Sequence, residues 1–201
     1  MKISEEGYKK VAKDLKFDIN KKKPQIFYLN DYEFKRLTKP IKAIGLYIKD
    51  TIIIGADGGK LDCENIEKTI KLVIHEMTHF ILDQITISSY KRNPAKIRAH
   101  KSFGLFEEGL ARYESTSPSR DELGELLFKL FPEGNFIFFQ EMDSSGDLEM
   151  GYNKAVPEFE VLIKFLVDRW GETTLLNIIY SLNELTVQEA IEKYTPVPFS
   201  Q

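Results

Sequence analysis

Between residues 64 and 84, apolar side chains recur at helical spacing: Ile66, Ile70, Val73, Met77, Phe80 and Ile81. Steps of three and four residues gather them into one stripe, which predicts a helix and is the strongest such signal in the chain. Asp62 stands where the N-cap is expected. Upstream the period changes. Gln25-Ile26-Phe27-Tyr28-Leu29, after Pro24, reads as a strand. Ile44-Gly45-Leu46-Tyr47-Ile48 and Thr51-Ile52-Ile53-Ile54 are β-branched and aromatic runs split by Lys49-Asp50, which predicts a β-hairpin. A short polar helix over 5–16 precedes the first strand. Asn30-Asp31 is placed to cap a second short helix, carrying Phe34 and Leu37 and ending before Pro40. Residues 55–59, rich in glycine, form a loop.

Downstream, 88–104 is basic and irregular, with Pro94 and Gly104. A helix resumes over 105–114 and is ended by Ser115-Thr116-Ser117-Pro118-Ser119. A further helix over 121–131 stops at Pro132. Residues 134–151 read as a loop region whose aromatic run, 136–139, is assigned to the core. Three helices follow, over 153–169, 172–183 and 186–193, with Gly171 separating the first two. Strands early and helices late predict an α+β fold. At 201 residues the chain suits a single domain, with 1–84 carrying the sheet and the strong helix and 85–201 mainly helical.

Composition narrows the function classes. With 42% hydrophobic and 29% charged residues, the chain is an ordinary globular sequence rather than a disordered one. A net charge of -3 gives no overall basic field to draw in nucleic acid. The run Lys21-Lys22-Lys23 is read as a solvated turn. One cysteine, Cys63, cannot form an internal disulfide. The N-terminus lacks the apolar stretch of a signal peptide, and no window approaches the roughly 20 apolar residues of a membrane span. The expectation is a soluble, cytoplasmic protein with no membrane partner; secretion after removal of a leader is the alternative.

The chemistry centres on His75-Glu76-Met77-Thr78-His79, an H-E-x-x-H pattern on the strong helix. Four residues advance roughly 6 Å along a helix and about 40° around it. The two imidazoles therefore face the same way, one turn apart, and can share a metal ion. Glu76 lies about 100° further round than His75, suited to hydrogen-bond a water rather than to ligate. Two of the chain's three histidines fall in this motif, so chance is a poor explanation of it. A catalytic zinc usually takes three protein ligands and a water. Four residues could supply the third: His100, in the irregular basic stretch; Cys63, which would have to fold back; and Glu107 or Glu108, at the start of the next helix. A His-His-Glu set is a known catalytic combination, and one carboxylate offsets part of the 2+ charge without quenching Lewis acidity.

Leu105-Phe106-Glu107-Glu108-Gly109-Leu110-Ala111-Arg112-Tyr113 resembles the second motif of gluzincin metallopeptidases, particularly the small peptidase MA-like proteins and minigluzincins. That pattern runs aromatic-x-x-Glu-Gly-x-Ala-x-Tyr downstream of H-E-x-x-H. The resemblance implies Zn2+ held by His75, His79 and Glu108, with Gly109 and Ala111 letting this helix approach the active-site helix. It leaves Glu107 as an exposed neighbour. The chain departs from the pattern at Leu105, where the family usually has Trp; Phe106 is of a size to fill that space. A weaker similarity covers Tyr152-Asn153-Lys154-Ala155 and the helices after it, and makes Tyr152 the candidate for stabilising the tetrahedral intermediate.

The resemblance implies a zincin-like fold and a peptidase acting on peptide or protein substrates, with Glu76 as general base and the hairpin over 44–54 offering an edge strand to the substrate backbone. A latent or inactive zinc-binding protein of the same fold, acting as an interaction module, is the alternative. Small gluzincins can be held inactive by their own termini, which gives residues 1–23 or the tail from Thr195 a possible self-inhibitory role. Asp83, one turn beyond His79, is a candidate to support a ligand. Residues 143–147 lack the ligand spacing of a calcium loop and are read as a turn.

Overall fold

The strand runs and the long apolar stripe fold as their periods demand. The computed structural model describes residues 2–38, 44–56, 63–90, 101–116, 118–119, 121–122, 124–125 and 148–196. Among the described residues the order is α1 (Lys2–Asp14), β1 (Gln25–Asn30), α2 (Asp31–Thr38), β2 (Gly45–Ile48), β3 (Thr51–Ala56), α3 (Cys63–Tyr90), α4 (Lys101–Thr116), α5 (Leu148–Trp170), α6 (Glu172–Ser181) and α7 (Val187–Tyr194). The class is mixed α+β, mostly helical, with one small sheet. Two compact units divide the chain: Met1–Ile81 with Glu114–Thr116, and Leu82–Tyr113 with Ser117–Gln201.

The first unit is built on the three-stranded sheet, in the order β1-β3-β2. β2 and β3 form the expected antiparallel hairpin, with Tyr47 opposite Ile52 and Ile48 opposite Thr51. Lys49 takes the positive φ (56°) that tight strand reversals often require. β1 pairs with β3 in parallel, Ile26 beside Ile52 and Tyr28 beside Ile54, which the strand sequences alone do not predict. Side chains alternate across the pleat, so Ile52, Ile54, Gly45 and Tyr47 share one face. That face meets α3, where the Tyr47 and Phe80 rings stand edge-on at 6.1 Å. α1 lies on the same side. Its Tyr8 ring is 6.4 Å from Phe80, and a Cβ at Gly7 would stand 3.0 Å from Val73. Ser4 Oγ and Tyr28 Oη share a hydrogen bond of 2.6 Å. α2 covers part of the opposite face, with Phe34 buried against Gly55.

A buried carboxylate fixes α1 to the last turn of α4. Lys10 Nζ reaches Glu114 Oε2 at 3.1 Å, the Glu114 carbonyl at 3.0 Å and Asp14 Oδ2 at 3.0 Å. Burial pushes the Glu114 carboxyl above its ordinary value against the opposing pull of Lys10. Burial works to lower Lys10, but the Glu114 and Asp14 carboxylates outweigh it and leave Lys10 raised. A raised lysine contributes stability that is present at neutral pH and lost only as pH climbs through its folded value. A raised carboxyl withdraws stability as pH rises from the ordinary carboxylate range. Lys10→Met leaves Glu114 buried without its cation. Breaking a buried pair costs about 3–5 kcal/mol. Lys10 is 39% exposed, so solvent screening brings the expected loss down to about 1–3 kcal/mol at pH 8. The loss should be smaller at a lower pH such as 5, because the raised Glu114 carboxyl takes up its proton before an ordinary carboxylate does. Urea unfolding of both proteins at the two pH values checks it; a pH-independent difference would contradict the assignment.

The second unit is helical. Phe106 of α4 and Phe159 of α5 are both buried, their rings T-shaped at 6.4 Å. Phe159, Ile163 and Leu166 line one side of α5, at steps of four and three. Leu175, Leu176, Ile178 and Ile179 of α6 and Val187, Ala190 and Ile191 of α7 extend this core. Gly171 separates α5 from α6 as expected. Its φ of 82° and ψ of 165° suit glycine alone. α7 opens with a capping box, in which Thr186 accepts from the Glu189 N–H and Glu189 accepts from the Thr186 N–H.

The largest departures from the sequence reading are at three helix boundaries. α3 continues past 84 to Tyr90, because Ile85 and Thr86 prolong its buried stripe. The Thr86 hydroxyl satisfies itself by donating to the Leu82 carbonyl at 2.9 Å. α4 starts at Lys101 rather than 105. Phe103 adds a turn to the buried stripe, and Gly104 is exposed, so it does not stop the helix. α5 starts at Leu148, inside the stretch read as loop. The expected cap at Asp62, the aromatic run 136–139, the segment 143–147, most of the helix over 121–131 and the tail beyond Pro196 lie outside the described residues. Among the described residues no helix is long and apolar enough to cross a membrane.

Candidate metal centre

α3 displays three faces. Val73, Ile74 and Met77 are buried, with α1 against Val73 and Ile74. Leu72, Glu76 and Phe80 turn toward β2 and Tyr47. His75 and His79 occupy the remaining face, about 40° apart. Their Nε2 atoms are 3.2 Å from each other, and their rings lie 4.8 Å apart at 75°. His75 is half-buried and His79 is 8% exposed. Two imidazole nitrogens this close cannot both present lone pairs without a proton or a cation between them.

Glu108, half-buried on α4, supplies the third group. The ligand atoms of His75, His79 and Glu108 all lie within 4.8 Å of one another. Zinc–nitrogen bonds of about 2.0–2.1 Å imply a tetrahedral edge of about 3.4 Å. The histidine pair already has that spacing. The carboxylate, within 4.8 Å of both, would close to that spacing by an adjustment of at most about 1.4 Å. Two imidazoles and one carboxylate are also the donor chemistry of a catalytic zinc site with a position left for water. The residues fit the ion.

Glu76 is 5% exposed and stands apart from the cluster, with its carboxylate against the edge strand. Of the other ligand candidates, Glu107 is half-buried on α4 rather than exposed and lies outside the cluster. Cys63 is the first residue of α3, twelve residues before His75 on one continuous helix. At 1.5 Å per residue it lies about 18 Å away along the axis and cannot close the site. His100 lies outside the described residues. Asp83 is half-buried on α3, one turn past His79. Tyr152 is in the N-terminal part of α5, and its side chain lies outside the described residues.

Gly109 has a close neighbour in the second unit. The atoms nearest a Cβ there are Phe159 Cβ at 2.5 Å, Glu160 N at 2.9 Å and Phe159 C at 2.9 Å. The close approach it permits on this side is to α5. Sequence reasoning missed Gly45, beside Glu76, although an isolated glycine in a β-branched run is itself a signal of close approach. It also missed the buried carboxylates Glu114 and Glu160; the available signal was their helical spacing from Leu110 and Ala111 and from Val156 and Ile163.

No family model, no curated protein and no solved structure matches the chain.

Proposed function

We propose that the chain is a zinc-dependent peptidase of gluzincin type on a zincin-like fold. The observation that carries the reading is the convergence of His75, His79 and Glu108 within 4.8 Å, with the buried Glu76 carboxylate on the same helix turn. Zinc held by these three would supply a Lewis acid for a peptide carbonyl and lower the pKa of a water toward ~7.

The rest falls to the chain's own groups. Glu76 accepts the proton of the attacking water and passes it to the leaving amine. Its burial excludes bulk solvent from that transfer. β2 is an edge strand among the described residues. Gly55 N–H donates to the Ile44 carbonyl at 2.9 Å, so by antiparallel alternation the amides of Gly45 and Tyr47 point out of the sheet. They offer an extended peptide a row of donors and acceptors. Tyr152 remains the candidate to stabilise the developing oxyanion. Metal content tests the reading: the wild type should hold zinc and His75→Ala should not.

A further inference from the structure

Gly45 has no backbone reason to be glycine. Among the described glycines only Gly171 has a positive φ, and glycine weakens a strand by up to about 1 kcal/mol. Space is the reason. A Cβ at Gly45 would lie 2.5 Å from Glu76 Oε1, 3.1 Å from Glu76 Cδ and 2.7 Å from Leu72 Cδ1, and contacts under 3.0 Å essentially never occur. Leu72 is half-buried, and its methyl is the end of a flexible chain that can rotate aside. Glu76 is 5% exposed, so a carboxylate displaced from this strand would have to find another buried place. Gly45 is also one of the two residues of β2 whose amide points out along the open edge.

We propose that Gly45 is a positioning residue: its missing side chain lets the Glu76 carboxylate lie directly against the edge strand, and so fixes where the base stands beside a strand-bound substrate. The catalytic consequence rests on the peptidase reading; the steric relation between Gly45 and Glu76 does not.

The experiment is a double-mutant cycle of Gly45→Ala and Glu76→Ala, read first by thermal unfolding of the metal-free chain. Gly45→Ala should lower the midpoint by several degrees in the wild-type background, and by less than half as much in the Glu76→Ala background. If Gly45→Ala alone does not fold, adding Glu76→Ala should restore a folded chain. Equal shifts in both backgrounds, or no recovery, would overturn the proposal. The second reading is kinetic. Zinc-loaded Gly45→Ala should keep its zinc and a KM within about threefold of wild type, while kcat falls by about 10-fold to 100-fold, the scale of a misplacement near 1 Å. An unchanged kcat would also overturn it. A zinc-loaded wild type that cleaves no peptide would sink the peptidase reading instead, and the unfolding cycle would still decide whether Gly45 places Glu76.

Discussion

Glu76→Gln should lower kcat/KM for a peptide substrate by about 10²–10⁴, the usual contribution of a positioned general base, while one equivalent of zinc stays bound. The amide is nearly the same size as the carboxylate, so it fits the space left by Gly45 and Leu72. It cannot accept the proton of a water at neutral pH. The metal is untouched because the cluster is made by His75, His79 and Glu108, and Glu76 projects from a different face of α3. The discriminating pattern is therefore lost turnover with retained metal. Hydrolysis of a peptide panel at the wild-type rate by the glutamine variant would mean that Glu76 is a buried structural carboxylate. Loss of zinc together with turnover would place it among the ligands.

Gly109→Ala should cost about 3 kcal/mol, near the top of the range for overpacking a well-packed site. The added methyl would meet the Phe159 Cβ at 2.5 Å and the α5 backbone at 2.9 Å. Backbone within a helix cannot swing aside as a side chain can, so α4 must move relative to α5. Glu108 precedes Gly109, and moving α4 carries its carboxylate out of place. Zinc affinity should therefore fall along with stability. Gly104→Ala is the control on the same helix. Nothing lies within 4 Å of a Cβ there, and replacing an exposed helical glycine by alanine should gain about 0.5–1 kcal/mol. Urea unfolding of the two variants should give shifts of opposite sign. Shifts of the same sign would mean that helix propensity, not the contact with α5, decides the outcome at Gly109.

What is legible in the sequence is what depends on neighbours along the chain. The stripe of Val73, Met77, Phe80 and Ile81 defines α3 and by itself puts His75 and His79 on one face. The β2–β3 hairpin is readable because a two-residue break between β-branched runs leaves few other options. The parallel pairing of β1 with β3 is not. It joins strands separated by α2 and β2, and nothing in Gln25–Asn30 specifies its neighbour. The small residue at 109 announces a close approach without saying to what: the motif points it at the active-site helix, and the atoms nearest a Cβ there belong to α5. Gly45, an isolated glycine in a strand, signals a close approach but not its partner, since that partner is a carboxylate 31 residues downstream. Glu114 and Glu160 stand at helical spacing from buried apolar residues, Leu110 and Ala111 for the one and Val156 and Ile163 for the other, yet charged side chains are almost always exposed. Their burial depends on packing partners far along the chain: Lys10, for Glu114, is 104 residues away.

The central claim is that His75, His79 and Glu108 together hold zinc. Zinc content of the purified wild-type chain and of His75→Ala, measured side by side after equilibration with excess zinc and removal of the unbound metal, tests it most directly. One equivalent is expected in the wild type and none in the variant, with both chains folded. A wild type that binds no zinc, or a variant that binds as much as the wild type, would contradict it.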